Sequence, residues 1–167
     1  MRHCETKKLA SEEPADPRNN SSLLATGLQQ TERLAAYLRP MPTDQILTSL
    51  LQRSQQTASI LNRERHLPVF SSMALNEYFP RDDYEGVETT EQGLVQSVGY
   101  LNQFRPYFEH IAVVGHNAIS SSILKSLLNM LFETGKAAFS RVGICWILRY
   151  DWRASDQNWR EAGSFIP

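Results

Sequence analysis

Two arginines, two histidines and one acid stand out as the residues able to do chemistry in this chain. Arg2 and His3 lie in "MRHCET", Arg53 in "LTSLLQRSQQT", Glu77 in "LNEYF" and His116 in "AVVGHNAIS". Taken singly, each has an ordinary explanation: a frayed terminal histidine, a solvated helix arginine, a surface acid, a histidine that caps a helix. Together they are what phosphoryl transfer through a histidine requires. A neutral imidazole is a nucleophile near neutral pH without a separate base, and neighbouring positive charges help to hold it neutral. The transfer spreads negative charge over three equatorial oxygens, which guanidinium forks match bidentately as lysine cannot. Arg2 and Arg53 suit that task. A second, protonated imidazole at His116 can donate to another oxygen, and backbone N–H groups at the start of the next helix add to the cradle. The leaving alkoxide needs a proton, which a carboxyl held at Glu77, between Leu75 and Tyr78-Phe79, can supply.

The pattern along the chain contains elements that would position these groups. Residues 7 to 25 are rich in Pro, Asn, Ser and charge and read as an exposed loop. Thr26 with Gln29 reads as a capping box opening a helix in which Leu28, Leu34, Ala35 and Leu38 share a face until Pro40. "QILTS" (45 to 49) suits a buried strand, and Ser49 with Gln52 reads as a second capping box for a helix through Asn62 that holds Arg53 in its first turn. "LPVFS" (67 to 71) reads as a strand and 72 to 88 as irregular. Thr89 and Gln92 would cap a helix carrying Leu94, Val98, Leu101, Phe104 and Phe108 on one side. "IAVVG" (111 to 115) is a compact strand, followed by a helix lined by Ile119, Ile123, Leu127, Leu128 and Leu131. "RVGICWILRY" alternates as a strand near a sheet edge does. Strands alternating with helices predict an α/β architecture with a mostly parallel sheet, and no repeat or linker divides residues 1 to 167 into more than a single domain.

In such sheets the ligand lies off the carboxyl ends of the strands. Arg53 follows "QILTS" and His116 follows "IAVVG", so both are expected at one crevice; Arg2 and His3 join them if a strand precedes residue 2.

With 17 Lys+Arg against 18 Asp+Glu in 167 residues, the chain has no basic field of the kind nucleic acid attracts, so any anion site is local. Cys4 and Cys145 match no metal-ligand spacing; a reduced protein that needs no disulfide and no metal is the expectation. The first twenty residues hold no apolar core of a signal segment, and no stretch nears ~18 consecutive apolar residues, which points to a cytoplasmic location without membrane contact.

These segments resemble, in order, those of the histidine phosphatase superfamily, which includes cofactor-dependent phosphoglycerate mutases and many small phosphatases. "MRHCET" is similar to its "RHGET" signature and "LATGLQQTERLAAYL" to the stretch that follows. "LTSLLQRSQQTASIL" resembles "SxLxRAxQTAxxL", "LNEYF" with "YEGVETTE" resembles the segment of its acid, and "AVVGHNAISSSIL" resembles the strand and helix around its second histidine. The resemblance implies a three-layer sandwich with a mostly parallel central sheet flanked by helices. It also implies a phosphohistidine mechanism, with His3 as nucleophile, Glu77 as proton donor, and Arg2, Arg53 and His116 around the phosphoryl group. Asn117, where the family usually has glycine, is a further substrate-binding candidate. No cofactor or metal is implied, and the partner is a phosphorylated small molecule or phosphoprotein, chosen by loops at 7 to 25 and 78 to 90. Cys4 replaces the signature glycine, and Leu9 stands where mutases carry asparagine, which favours a phosphatase over a mutase-type transferase. The family also carries a strand running into its arginine-histidine pair. That N-terminal strand is expected to be missing here, with Met1 a misplaced or truncated start; a catalytically inactive phosphate-binding module is the other reading of its absence.

Overall fold

The computed structural model describes residues 1–6, 20–77, 90–104, 106–116, 147–153 and 158–165. In chain order these form α1 (Ala25–Leu38), β1 (Gln45–Ser49), α2 (Gln52–Asn62), β2 (Val69–Ser72), a single 3-10 turn (Met73–Leu75), α3 (Thr90–Phe104), β3 (Ile111–Val114), β4 (Ile147–Arg153) and β5 (Asn158–Phe165). The apolar run of β1 is explained by its place: it is the centre of a parallel sheet in the order β2-β1-β3, and all five of its residues are buried. Strands covered on both faces lose the polar alternation that a half-exposed strand shows.

Successive β1 side chains feed two separate cores. Ile46 packs with Leu34 of α1, Ala58 and Leu61 of α2, Val114 of β3, and Cys4 and Leu23. Leu47 faces the opposite way, against Leu75 and Leu101, the last of these from α3. Helices therefore cover both faces of the sheet, which is the layered α/β arrangement expected. The chain reverses direction across the sheet between β1 and β3: α2 leads outward to β2 on one face, and α3 returns to β3 on the other. That gap, at the carboxyl ends of β1 and β3, is where open α/β sheets place their ligands.

Met1–His3 runs parallel to the end of β3, with the His3 amide donating to the Gly115 carbonyl at 3.1 Å and the Gly115 amide to the Met1 carbonyl at 3.0 Å. This short pairing is enough to bring Arg2 and His3 to the crevice.

Several local readings are corrected. Neither capping box forms: α1 is capped by Leu24 and α2 by Leu51, in extended conformation and without side-chain bonds. The Thr26 hydroxyl bonds Glu5, and that of Ser49 bonds His116 while accepting the Leu51 amide just before α2. β2 begins at Val69 rather than at Leu67, and α3 ends at Phe104, so Phe108 lies beyond it. β4 extends past Tyr150 to Arg153 and pairs antiparallel with β5, a strand with no strict alternation in "NWREAGSF", across a register shift at Arg149/Tyr150. The helix expected after His116, the proposed cap at Thr89, Leu9, most of the two specificity loops and Asn117 lie outside the described residues. Among the described residues no helix is long and apolar enough to cross a membrane.

Candidate active site

Four of the five residues singled out are brought into direct or near contact. His3, Arg53 and His116 are essentially excluded from solvent, and Glu77 closes the site with its side chain 12% exposed. Their order in space follows from the elements. His3 ends the short pairing with β3, His116 follows β3 itself, Arg53 sits in the first turn of α2 after β1, and Glu77 follows the 3-10 turn beyond β2.

The hydrogen bonds assign the His3 tautomer. Its Nδ1 lies 2.7 Å from the Cys4 carbonyl, an acceptor only, so Nδ1 carries the proton. Its Nε2 lies 3.1 Å from Arg53 Nε, a donor only, so Nε2 holds a lone pair. Burial pulls the His3 pKa from 6.5 down to about 3; the Arg53 charge acts in the same direction, and Arg2 adds a smaller push, against opposing effects of the Cys4 carbonyl and Glu77. The ring is therefore neutral near neutral pH, as a nucleophile must be.

Arg53 is fully buried and spans the site. While its Nε meets His3, one terminal nitrogen donates to Glu77 Oε2 at 2.7 Å. Burial lowers its pKa and the Glu77 carboxylate works against that lowering. The rings of His3 and His116 stand 5.1 Å apart between centroids, tilted by 59°. His116 Nδ1 is 3.9 Å from Glu77 Oε2, and its Nε2 meets the hydroxyls of Ser49 at 2.9 Å and Ser54 at 3.3 Å. Arg2 belongs to the site through its charge on His3 and its pairing with Gly115.

The residues that position these groups are mostly ones that the sequence pattern assigns elsewhere. Glu5, two residues past His3, is tied three ways to α1: its carbonyl accepts from the Leu24 amide at 3.0 Å, its amide donates to Gln30 Oε1 at 3.1 Å, and its carboxylate accepts from the Thr26 hydroxyl at 2.6 Å. The turn from β1 into α2 is held similarly. The amides of Leu50, Leu51 and Gln52 donate to Asn76 Oδ1, Ser49 Oγ and Asn20 Oδ1 at 2.9, 3.2 and 2.6 Å. These bonds satisfy orphan donors at the start of α2 and so fix where Arg53 emerges.

Cys4, next to His3 in the chain, is fully buried. The chain's other cysteine, Cys145, lies outside the described residues.

A neutral imidazole with its lone pair against a guanidinium, a second imidazole beside it and a carboxylate at the rim are equipped to receive a tetrahedral anion. Over 169 residues the chain is 26% identical to the adenosylcobalamin/alpha-ribazole phosphatase of Escherichia coli (strain K12), covering 81% of this chain and 78% of that protein. Over 124 residues it is 28% identical to the phosphatase PhoE of Bacillus subtilis (strain 168), covering 63% and 64%. The fold matches the crystal structure of the alpha-ribazole phosphatase from Shigella flexneri with a TM-score of 0.75 at 22% identity, over 96% of this chain and 93% of that one. It matches the vanadate-bound structure of a mycobacterial glucosyl-3-phosphoglycerate phosphatase with a TM-score of 0.78 at 17% identity, over 96% and 94%. Residues 1–95 match the model of the histidine phosphatase superfamily (branch 1), and the chain belongs to that family.

Proposed function

We propose that this phosphatase hydrolyses a phosphate monoester through a phosphohistidine formed at Nε2 of His3. The observation that carries the reading is the His3 tautomer: Nδ1–H is held on the Cys4 carbonyl, which leaves the Nε2 lone pair facing Arg53. In the first half-reaction Nε2 attacks phosphorus and the bond from phosphorus to the ester oxygen breaks. Arg53 turns from His3 and Glu77 onto the equatorial oxygens, joined by Arg2 and His116, and stabilises the charge spread over them. Glu77, relieved of the guanidinium, takes up a proton from the entering phosphate monoanion or from solvent and passes it to the departing alkoxide. In the second half-reaction water attacks the phosphohistidine, Glu77 takes its proton, and orthophosphate leaves with Nε2 restored. Asn117 remains a candidate contact to the substrate, and residues 1 to 167 are read as one domain.

The two alpha-ribazole phosphatases and the glucosyl-3-phosphoglycerate phosphatase are named for small phosphorylated molecules. Small phosphate monoesters are therefore the substrate class to test first, with phosphoproteins second. The experiment is hydrolysis of p-nitrophenyl phosphate, with rapid alkaline quenching to trap the acid-labile phosphoenzyme. His3→Ala should abolish turnover and the trapped label, and Glu77→Gln should slow release most for poor leaving groups. Full activity in His3→Ala would refute the mechanism.

A further inference from the structure

His116 follows the end of β3, and its Nε2 meets two serines, one at the end of β1 and one in the first turn of α2. Both serines, like His116, are fully buried. A serine hydroxyl either donates to or accepts from an imidazole nitrogen, so distance alone leaves the proton's place open. The surroundings decide it. Ser49 Oγ already accepts the Leu51 amide at 3.2 Å, and among the described residues neither hydroxyl proton meets another acceptor besides His116 Nε2. Were Nε2 to carry a proton, both serines would act as acceptors and two buried hydroxyl protons would go unmet. With a lone pair on Nε2, the closer hydroxyl, that of Ser49, donates to it and at most one is unmet. Buried polar hydrogens are nearly always satisfied, so the second arrangement is the stable one.

We infer that Ser49 and Ser54 are positioning residues that hold neutral His116 in its Nδ1–H tautomer, so that Nδ1–H is the group offered to a phosphoryl oxygen. Nδ1 already lies on the Glu77 side, 3.9 Å from Oε2. The inference deepens the phosphohistidine reading and rests on it for its catalytic meaning. It removes one demand from that reading, since His116 can donate without first becoming an imidazolium. His116 and His3 then play opposite parts from the same tautomer. His3 holds its Nδ1–H on a carbonyl and turns its lone pair to Arg53, whereas His116 holds its lone pair on the serines and turns its Nδ1–H to the Glu77 side.

The test is a long-range nitrogen–proton correlation spectrum of the full chain labelled with 15N at histidine, recorded at neutral pH with His116→Gln for assignment. It reports the tautomer directly and does not depend on turnover, so its failure and the failure of the phosphohistidine mechanism are separable. The expected result is a neutral ring protonated at Nδ1. A ring protonated at Nε2, or at both nitrogens, overturns the inference. Ser49→Ala should mix the tautomers and lower kcat roughly 10- to 100-fold, the range typical of losing a partner that orients a functional histidine, with little change in KM. Ser49→Thr, which keeps the hydroxyl, should restore both the spectrum and most of kcat. Ser54→Ala, at the longer distance, should have the smaller effect. If Ser49→Ala does not fold, the wild-type spectrum alone decides the question; a folded Ser49→Ala with unchanged spectrum and kcat overturns it.

Discussion

Gly27→Ala should damage catalysis from a position that touches no reacting group. Gly27 is buried in the first turn of α1. A Cβ added there would stand 3.0 Å from the Glu5 amide nitrogen and 3.1 Å from the Glu5 carbonyl carbon, and closer still to the carbonyl oxygen. Ordinary contacts of carbon lie at about 3.5–4.0 Å, and the atoms in the way are backbone that cannot swing aside as a side chain can. Glu5 is also pinned by the Leu24 amide, Gln30 and Thr26, all from the same end of α1. The segment that carries His3 must therefore retreat from α1, or α1 from it.

Two effects oppose each other in stability. Alanine is the better helix former by about 1 kcal/mol, while overpacking a tight contact costs about 1–3 kcal/mol. With backbone atoms this close the clash falls in the upper part of its range, about 2–3 kcal/mol, and the net loss of roughly 1–2 kcal/mol lowers Tm by about 2–8 °C for a domain of this size. Activity should fall further than stability, because a misplacement of about 1 Å in a catalytic group can cost roughly 100-fold. Gly99→Ala is the matched control. Nothing lies within 4 Å of a Cβ at Gly99, on an exposed part of α3, so alanine there should stabilise by roughly 0.5–1 kcal/mol and leave the rate unchanged. Thermal unfolding and kcat/KM on p-nitrophenyl phosphate measure both variants. If Gly27→Ala keeps the wild-type Tm and rate, the idea that α1 sets the nucleophile's position is wrong.

Stability should fall as the solution is acidified, through His3. Its pKa drops from 6.5 to about 3 on folding, so between those values the unfolded chain takes up a proton that the folded chain refuses. The contribution is intact above about pH 6.5 and is lost at up to about 1.4 kcal/mol per unit as pH falls toward 3. Denaturant titrations across that window should show a shallower pH slope for His3→Gln, and an identical slope would contradict the assigned burial. Arg53→Lys should lower kcat/KM roughly 100- to 1000-fold and weaken vanadate binding, because an ammonium lacks the planar fork that holds two phosphoryl oxygens at once. Wild-type vanadate affinity in that variant would show that Arg53 does not hold the phosphoryl group.

What could be read from the sequence and what could not divide along a physical line. Arg53 and His116 were legible because each follows a short apolar run, and in a parallel sheet the ends of such runs converge by construction. The buried strand β1, the half-buried β3 and the helices around them were legible for the same reason: hydrophobic periodicity is a local record of which face is covered. The polar residues were misread. Ser49 and Gln52, and likewise Thr26 and Gln29, have the spacing of a capping box, and a local reading assigns the serine and threonine hydroxyls to their own helix. In the fold these hydroxyls serve groups far away in sequence, His116 for Ser49 and Glu5 for Thr26. A hydroxyl takes whichever partner the tertiary structure leaves unsatisfied, and no pattern of neighbours records that choice. β5 was missed because its residues do not alternate.

The two misread caps share a consequence. In each, a hydroxyl near the start of a helix reaches toward a segment carrying a histidine: Thr26 to Glu5 beyond His3, and Ser49, which also accepts the Leu51 amide, to His116 itself. Losing a side-chain cap costs a helix typically about 1 kcal/mol, and both helices start without one. The cost is acceptable because α1 and α2 are secured by their buried faces, through Leu34, Ala58 and Leu61 in the core beneath the sheet. Helices anchored by packing can lend their first polar residues to the site. The departures from local pattern therefore gather around the two imidazoles, where position matters more to this protein than the stability of any one helix end.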